Sequence, residues 1–181
     1  MTINSRVFIS YVSEDHSWAQ TIASILANLG IPITRPAASG EDFEDWLQEV
    51  AREATHTMVL VGVSTRLSEW VDREIAITTE YRKDGPGAGL IGIILPTSES
   101  FAQRYYDPTD VPLRLHDLSL ADYAVIRKWS ERGEDVAQWL GEAARRRSLR
   151  RPEPSLRVAA RLHRFAWDAA VDVDRTKRDP P

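Results

Sequence analysis

The chain of 181 residues contains no cysteine. That absence excludes a disulfide framework, a thiolate nucleophile, an iron–sulfur cluster and a cysteine-based zinc site, and it fits a reducing compartment. Histidine is scarce. His16, His56, His116 and His163 are the whole complement, and no two stand at metal-ligand spacing, so no metal is expected. Long apolar runs are missing as well. The longest, around residues 57–63 and 90–95, fall far short of the roughly 20 residues a membrane helix needs. The opening Met1-Thr2-Ile3-Asn4-Ser5-Arg6 has no basic region leading into an apolar stretch and does not read as a signal peptide. Glycine-rich phosphate signatures are also lacking: no GxGxxG follows the first apolar run, and GxxxxGK[ST] does not occur. The one glycine-rich piece, Gly85 to Gly89, precedes an apolar run instead of opening a helix and reads as a connector.

What remains is globular in composition. Hydrophobic residues make up 43% and charged residues 28%. The length suits one domain with a few tens of residues to spare. The net charge of −4 conceals an uneven distribution: residues 1–144 carry 12 basic and 22 acidic side chains, residues 145–181 carry 11 and 5. An acidic body with a basic tail suggests a tail that folds back on the body, pairs with a second copy, meets a polyanion or is simply a solvated face. The tail has few aromatics to interleave with its arginines, which disfavours nucleic acid.

Periodicity predicts alternating strands and helices. Arg6-Val7-Phe8-Ile9-Ser10 is a short β-rich run, followed by Ser13-Glu14-Asp15 with capping character. From Trp18, apolar residues recur at Ile22, Ile25, Leu26 and Leu29, and Gly30 stops the helix. Ile31-Pro32-Ile33-Thr34 reads as a brief second strand, confined by Pro32 to a strand start or an edge. Residues 35–40 form a loop by composition. Phe43, Trp46, Leu47, Val50 and Ala54 define a second helix, and 57–63 a strand covered on both faces. A third helix carries Trp70, Val71, Ile75 and Ile77 to about Tyr81, and Leu90 to Leu95 is a further strand. Residues 97–128 are irregular, with short helical or extended pieces. Glu131 to Arg147 is helical, Arg151-Pro152-Glu153-Pro154 breaks the chain, and a last helix runs from Ser155 to about Val171 before a frayed end. Such alternation with all-apolar strands implies an α/β fold, a parallel sheet with helices on both faces.

In such sheets ligands bind beyond the carboxyl ends of the strands. Residues 10–15, 35–40 and 64–74 converge there. Trp70 and Glu74 stand four apart on one helix face, just after Ser68 as N-cap. An aromatic plane beside a carboxylate suits a flat heteroaromatic ring bonded to a sugar. A tryptophan and a glutamate at this spacing are more usually a core anchor and a solvated partner. Phe8 reads as core or as ligand contact, Tyr11 as either, Asp15 as a helix cap and Arg35 as a loop charge or a binding residue. Trp129, Trp139 and Trp167 read as packing residues, and His56 and His116 carry no role.

Together, Val7-Phe8-Ile9-Ser10-Tyr11 with Glu14-Asp15, the loop ending at Gly40, the strand at 57–63 and Ser68-Glu69-Trp70-Val71-Asp72-Arg73-Glu74-Ile75 resemble the TIR domain family, whose pattern is Ser-x-Trp-x-x-x-Glu-Ile/Leu. The resemblance covers residues 5–96. Residues 89–96, 111–115 and 123–129 are similar to bacterial TIR-like proteins of the Thoeris anti-phage system. The resemblance implies a flavodoxin-like TIR fold over residues 1–150, with 151–181 as a basic helical C-terminal extension. It also implies cleavage of NAD+ at the nicotinamide–ribose bond. NAD+ is then substrate, with no separate cofactor, and the product is a cyclic or modified ADP-ribose signal that activates a separate effector. Glu74 falls on the family's catalytic glutamate and Trp70 on its neighbouring tryptophan. Phe8, Ser10 and Tyr11 fall where members line the nucleotide pocket, and Arg35 lies in the loop that rearranges on assembly. That loop reads Arg35-Pro36-Ala37-Ala38-Ser39-Gly40 and departs from the common Arg-Asp-x-x-Pro-Gly. The implied partners are a second copy of the chain, the effector and a phage-derived trigger, in the cytoplasm and away from membranes. A non-enzymatic TIR adaptor acting through homotypic contacts is the alternative, and a nucleoside-processing flavodoxin-like hydrolase a third.

Overall fold

The computed structural model describes residues 5–34, 43–80 and 86–149. The anticipated helix at 155–171, the basic extension and Arg35 lie outside the described residues.

Four parallel strands form the sheet in the order β1 (Val7–Ser10), β2 (His56–Val61), β3 (Gly89–Ile94) and β4 (Val125–Lys128). Among the described residues, five α-helices accompany them: α1 (His16–Asn28), α2 (Phe43–Glu53), α3 (Glu69–Thr79), α4 (Leu113–Leu120) and α5 (Gly133–Leu149). The brief strand expected at 31–34 shrinks to a single parallel bridge between Val7 and Ile33. Val7 donates its N–H to the Pro32 carbonyl, and the Thr34 N–H donates to the Val7 carbonyl. Proline has no N–H to offer a ladder, so the pairing does not extend before Ile33. Counting this bridge, the order is 2-1-3-4-5, the flavodoxin-like arrangement.

Side-chain alternation along the strands sorts the core into two layers. Val7, Met58, Leu60, Ile91, Ile93 and Val125 face α1 and α5, meeting Ile22, Leu26, Val136, Trp139 and Leu140. Val59, Val61, Leu90 and Ile94 face α3 and α4, meeting Val71, Ile75, Leu115 and Leu118. Phe8 points to this second side and packs with Trp46, Leu47 and Val50 of α2. A fully buried aliphatic side chain contributes about 1.5–3 kcal/mol, so these layers dominate the folding free energy. Gly30, at φ +69°, ends α1 in the left-handed region that a side chain disfavours.

The irregular stretch resolves into two 3-10 turns at Glu99–Ala102 and Pro108–Asp110, then α4 and β4. β4 ends in Arg127 and Lys128 and occupies the far edge of the sheet, where half-exposed polar residues are tolerated. Among the described residues, no helix is long and apolar enough to cross a membrane.

Candidate active site

β1 is flanked on its outer side by only the single bridge at Ile33, so on that side its C-terminal half has no neighbouring strand among the described residues. A cavity of about 520 Å³ wraps this edge. One wall comes from β1 and the residues after it: Phe8, Ile9, Tyr11 and Ser13. A second comes from α1, with His16, Ala19, Gln20 and Ala23. Ile33, Thr34, Trp46 of α2 and Glu74 of α3 complete the described lining.

Glu74 is placed by the start of α3. The Ser68 hydroxyl accepts the Val71 N–H at 3.3 Å and caps the helix as anticipated, which fixes the register of the following turns. Val71 and Ile75 anchor the helix against the sheet and leave Glu74 at the end of β1. There the Ser10 hydroxyl donates to Glu74 Oε2 at 2.6 Å. Ser10 is itself buried, at 1% exposure, so its hydroxyl has few alternatives. Burial pushes the Glu74 carboxyl up to about 7, and the Ser10 hydrogen bond partly opposes the rise. A carboxyl with this poise is common at functional sites and unusual on a solvated helix face.

Phe8, read from sequence as either core or ligand contact, is a core residue that also lines the cavity. It is 4% exposed, meets Trp46 edge-to-face with ring centroids 6.0 Å apart, and lines the cavity. The Tyr11 hydroxyl lies 3.1 Å from His16 Nδ1 at the cavity rim. Trp70 stands apart from this group: its side chain is 60% exposed and is not among the residues lining the cavity. The tryptophan that lines the cavity is Trp46, beside Phe8 and Tyr11. The pattern of α2 had marked Trp46 as one member of an apolar stripe, and nothing in that pattern separates a core tryptophan from one at a pocket wall. His16 directly follows the Glu14-Asp15 pair and had no near partner in sequence other than Tyr11, whose hydroxyl reaches it only because the chain turns between them.

A keyed frame holds these elements. Asp15 does not cap α1 with its side chain. Its carboxylate is buried at 4% exposure and turns toward the loop after β2, where Thr65 Oγ1 lies 3.3 Å from Oδ2. Desolvation raises the Asp15 carboxyl above the usual range, opposed by the Thr65 hydrogen bond. Thr65 Oγ1 also accepts the Gly62 N–H at 2.9 Å. A Cβ on Gly62 would collide with the Asp15 carboxylate, so any side chain here would force that carboxylate out of its place against Thr65. Nearby, the Ser64 hydroxyl donates to Glu14 at 2.7 Å. Two loops that flank the site are thus pinned to one another. Among the described residues, no group of three or more histidine and carboxylate side chains is arranged to hold a metal ion.

Solved structures similar to this chain include the TIR domain of the Toll-related receptor TRR-2 from Hydra magnipapillata, at 19% identity and a TM-score of 0.48, covering 77% of this chain and 94% of that one. Another is the TIR domains of the activated Roq1 resistosome directly recognizing the pathogen effector XopQ, at 14% identity and a TM-score of 0.46, covering 91% of this chain and 99% of that one. No curated protein matches. The family model described as TIR domain matches residues 7–139, a span from the first residue of β1 into α5 that takes in all four strands and every described residue of the cavity, and on that match the chain belongs to the TIR domain family.

Proposed function

We propose that the chain is an NAD+-cleaving enzyme that releases nicotinamide, with Glu74 as its catalytic residue. The observation that carries this reading is the Glu74 carboxyl itself, half-buried at the wall of a 520 Å³ cavity, held by Ser10 and poised near neutrality. Nicotinamide bonded to ribose is a cationic, good leaving group and needs little acid assistance. Its departure leaves a ribosyl oxocarbenium, whose positive charge an adjacent carboxylate stabilises. The ionised form does this work. The substrate's own positive nicotinamide favours ionisation when it lies nearby, since an opposite charge lowers a carboxyl's pKa. Phe8 and Trp46 supply the apolar, flat walls that a heteroaromatic ring requires, and Tyr11 a polar rim. Trp70, exposed near the start of α3, and Arg35, outside the described residues, contribute in this reading after the cavity is completed by a second copy of the chain.

The product is a cyclic or otherwise modified ADP-ribose when the intermediate is captured by the substrate's own groups instead of water. That signal activates a separate effector in anti-phage defence, with a phage-derived trigger. Support for this finer placement is the resemblance of residues 89–96, 111–115 and 123–129 to Thoeris proteins. Self-association makes specific activity rise with protein concentration. Strictly concentration-independent activity from a monomer refutes that part.

A second reading, a non-enzymatic adaptor working by homotypic contact, draws on a different observation. Val63, Leu67 and Trp70 are 66%, 76% and 60% exposed, an apolar cluster near the start of α3 that suits a protein surface. The deciding experiment is incubation of purified protein with NAD+, with nicotinamide and ADP-ribose products separated by chromatography, for wild type and Glu74→Gln. Release by wild type that falls on the order of a hundredfold in Glu74→Gln supports the enzyme. Wild-type release by a folded Glu74→Gln protein removes the assignment.

A further inference from the structure

Resting on the reading of Glu74 as the NAD+-cleaving carboxylate, we propose that Asp15 is a positioning residue for it, acting through Thr65 and the cap of α3. Asp15 immediately precedes α1, a place where an aspartate ordinarily caps the helix with its side chain. It does not do so here. The carboxylate is buried instead and crosses to the loop after β2, a contact 50 positions away in sequence. A buried carboxylate costs stability that a solvated cap would not, so core packing gives no reason for this placement.

Thr65 is the relay. Its hydroxyl accepts the Gly62 N–H at 2.9 Å and shares its one hydrogen between Asp15 Oδ2 at 3.3 Å and the Leu60 carbonyl at 3.1 Å. Thr65 opens the 3-10 turn that ends at Leu67, and its carbonyl accepts the Ser68 N–H at 3.1 Å. Ser68 then caps α3, taking the Val71 N–H on its hydroxyl and the Asp72 N–H on its carbonyl. The path from Thr65 into the first turn of α3 is thus hydrogen-bonded throughout, and Glu74 follows in the next turn.

Two contacts therefore join the same pair of chain segments. Ser10 meets Glu74 and Asp15 meets Thr65, across 64 and 50 positions. One contact between two segments fixes a distance and leaves a rotation, and a second removes the rotation. Asp15 in this way holds the 2.6 Å bond between Ser10 and Glu74 in register without being among the described residues that line the cavity. Glu14 adds a tie through Ser64 on the exposed side, where water competes for it.

The experiment is a double-mutant cycle in the full chain, read by NMR titration of the Glu74 side-chain carboxyl, with Glu74→Gln to assign the signal and melting curves to establish folding. Burial raises this carboxyl and the Ser10 hydrogen bond lowers it, so Ser10→Ala raises the midpoint wherever that bond exists. The expected result is that Ser10→Ala raises it in the wild type and in Asp15→Asn, which keeps the size and an oxygen for Thr65, and leaves it unmoved in Asp15→Ala. Thr65→Val breaks the same contact from its other side, repeats the uncoupling and decides the question where Asp15→Ala does not fold. Nicotinamide release falls by up to about a hundredfold in Asp15→Ala, chiefly in kcat, as misplacing a reacting group by about 1 Å predicts. The proposal is overturned by a Ser10→Ala shift of equal size with and without the Asp15–Thr65 contact, by no such shift in the wild type, by Asp15→Asn behaving like Asp15→Ala, or by undiminished release from folded Asp15→Ala. NAD+ cleavage that Glu74→Gln lowers, together with equal shifts, removes this inference and leaves the Glu74 reading standing. Coupled shifts with no cleavage by wild type do the reverse.

Discussion

Glu74→Gln should make the protein slower and, at alkaline pH, sturdier. The substitution keeps the size of the side chain and an oxygen for the Ser10 hydroxyl, and removes the negative charge. In the unfolded chain this carboxyl titrates near 4.5, and in the folded protein near 7. The folded state therefore binds the proton more tightly, and the wild type loses stability as pH rises from about 4.5 to about 7. Above that window the accumulated loss is about 3 kcal/mol, from about 1.4 kcal/mol per pH unit. Glu74→Gln has no such loss. Its melting temperature should match wild type near pH 4.5 and exceed it by several degrees at pH 8, at roughly 2–4 °C per kcal/mol for a chain of this size. Turnover should move the opposite way. If the carboxylate stabilises the oxocarbenium by about 3 kcal/mol, NAD+ cleavage falls on the order of a hundredfold. In the wild type, kcat/KM should climb with pH through about 7, as the free enzyme's carboxyl ionises. The assays are nicotinamide release and thermal melts across pH 4.5–8. A variant equally destabilised at both ends of that range would refute the burial argument, and undiminished turnover the catalytic one.

Ser10→Ala removes the hydrogen bond that favours the Glu74 carboxylate, so the midpoint of the pH–rate profile should move above 7, with a stability cost of about 1 kcal/mol; an unmoved midpoint would count against this role. Trp46→Ala should cost about 3–5 kcal/mol in a denaturant melt because the ring is buried against Phe8, whereas Trp70→Ala should cost about 1 kcal/mol or less; the reverse ranking would contradict the placement of the two rings. His56 is buried, with Nε2 3.1 Å from the Leu140 carbonyl, and desolvation with the nearby Arg147 charge lowers its pKa to about 4. Its contribution is complete above about 6.5 and declines as pH falls toward 4, by up to about 3 kcal/mol. This acid loss opposes the Glu74 trend in the overlapping window, so it should be read in Glu74→Gln, where a flat profile between pH 6.5 and 4 would argue against it.

The elements with strong periodicity were legible in sequence. The nearly all-apolar β2 and β3 announce strands covered on both faces, and α1 announces itself by its apolar spacing and Gly30. β4 was not legible as a strand, because four residues ending in Arg-Lys at a sheet edge carry too little pattern. The strand at 31–34 looked longer than it is, since apolar character cannot reveal that Pro32 leaves only Ile33 in register. At the site, Ser10 and Glu74 lie 64 positions apart. Motif resemblance named both, yet their hydrogen bond exists only after β1 and α3 pack. Trp70 drew attention by its i to i+4 spacing from Glu74, which expresses a shared helix face and says nothing of which neighbour fills the space above it. Trp46 reaches the same cavity from another helix, a relation that local spacing does not encode.

The mutual keying of the loops after β1 and β2 bears on how selective the site is. With Gly62, Asp15 and Thr65 interlocked and Ser64 tied to Glu14, one loop has no displacement available that leaves the other in place. A ligand of the wrong length is then not met by a yielding rim. Moving this flank means breaking the two buried hydrogen bonds of Thr65 together with the exposed one between Ser64 and Glu14. Under the NAD+-cleaving proposal, discrimination among nucleotides would arise as an all-or-none fit along this flank, and random substitutions that relax substrate choice should accumulate at these interlocked positions.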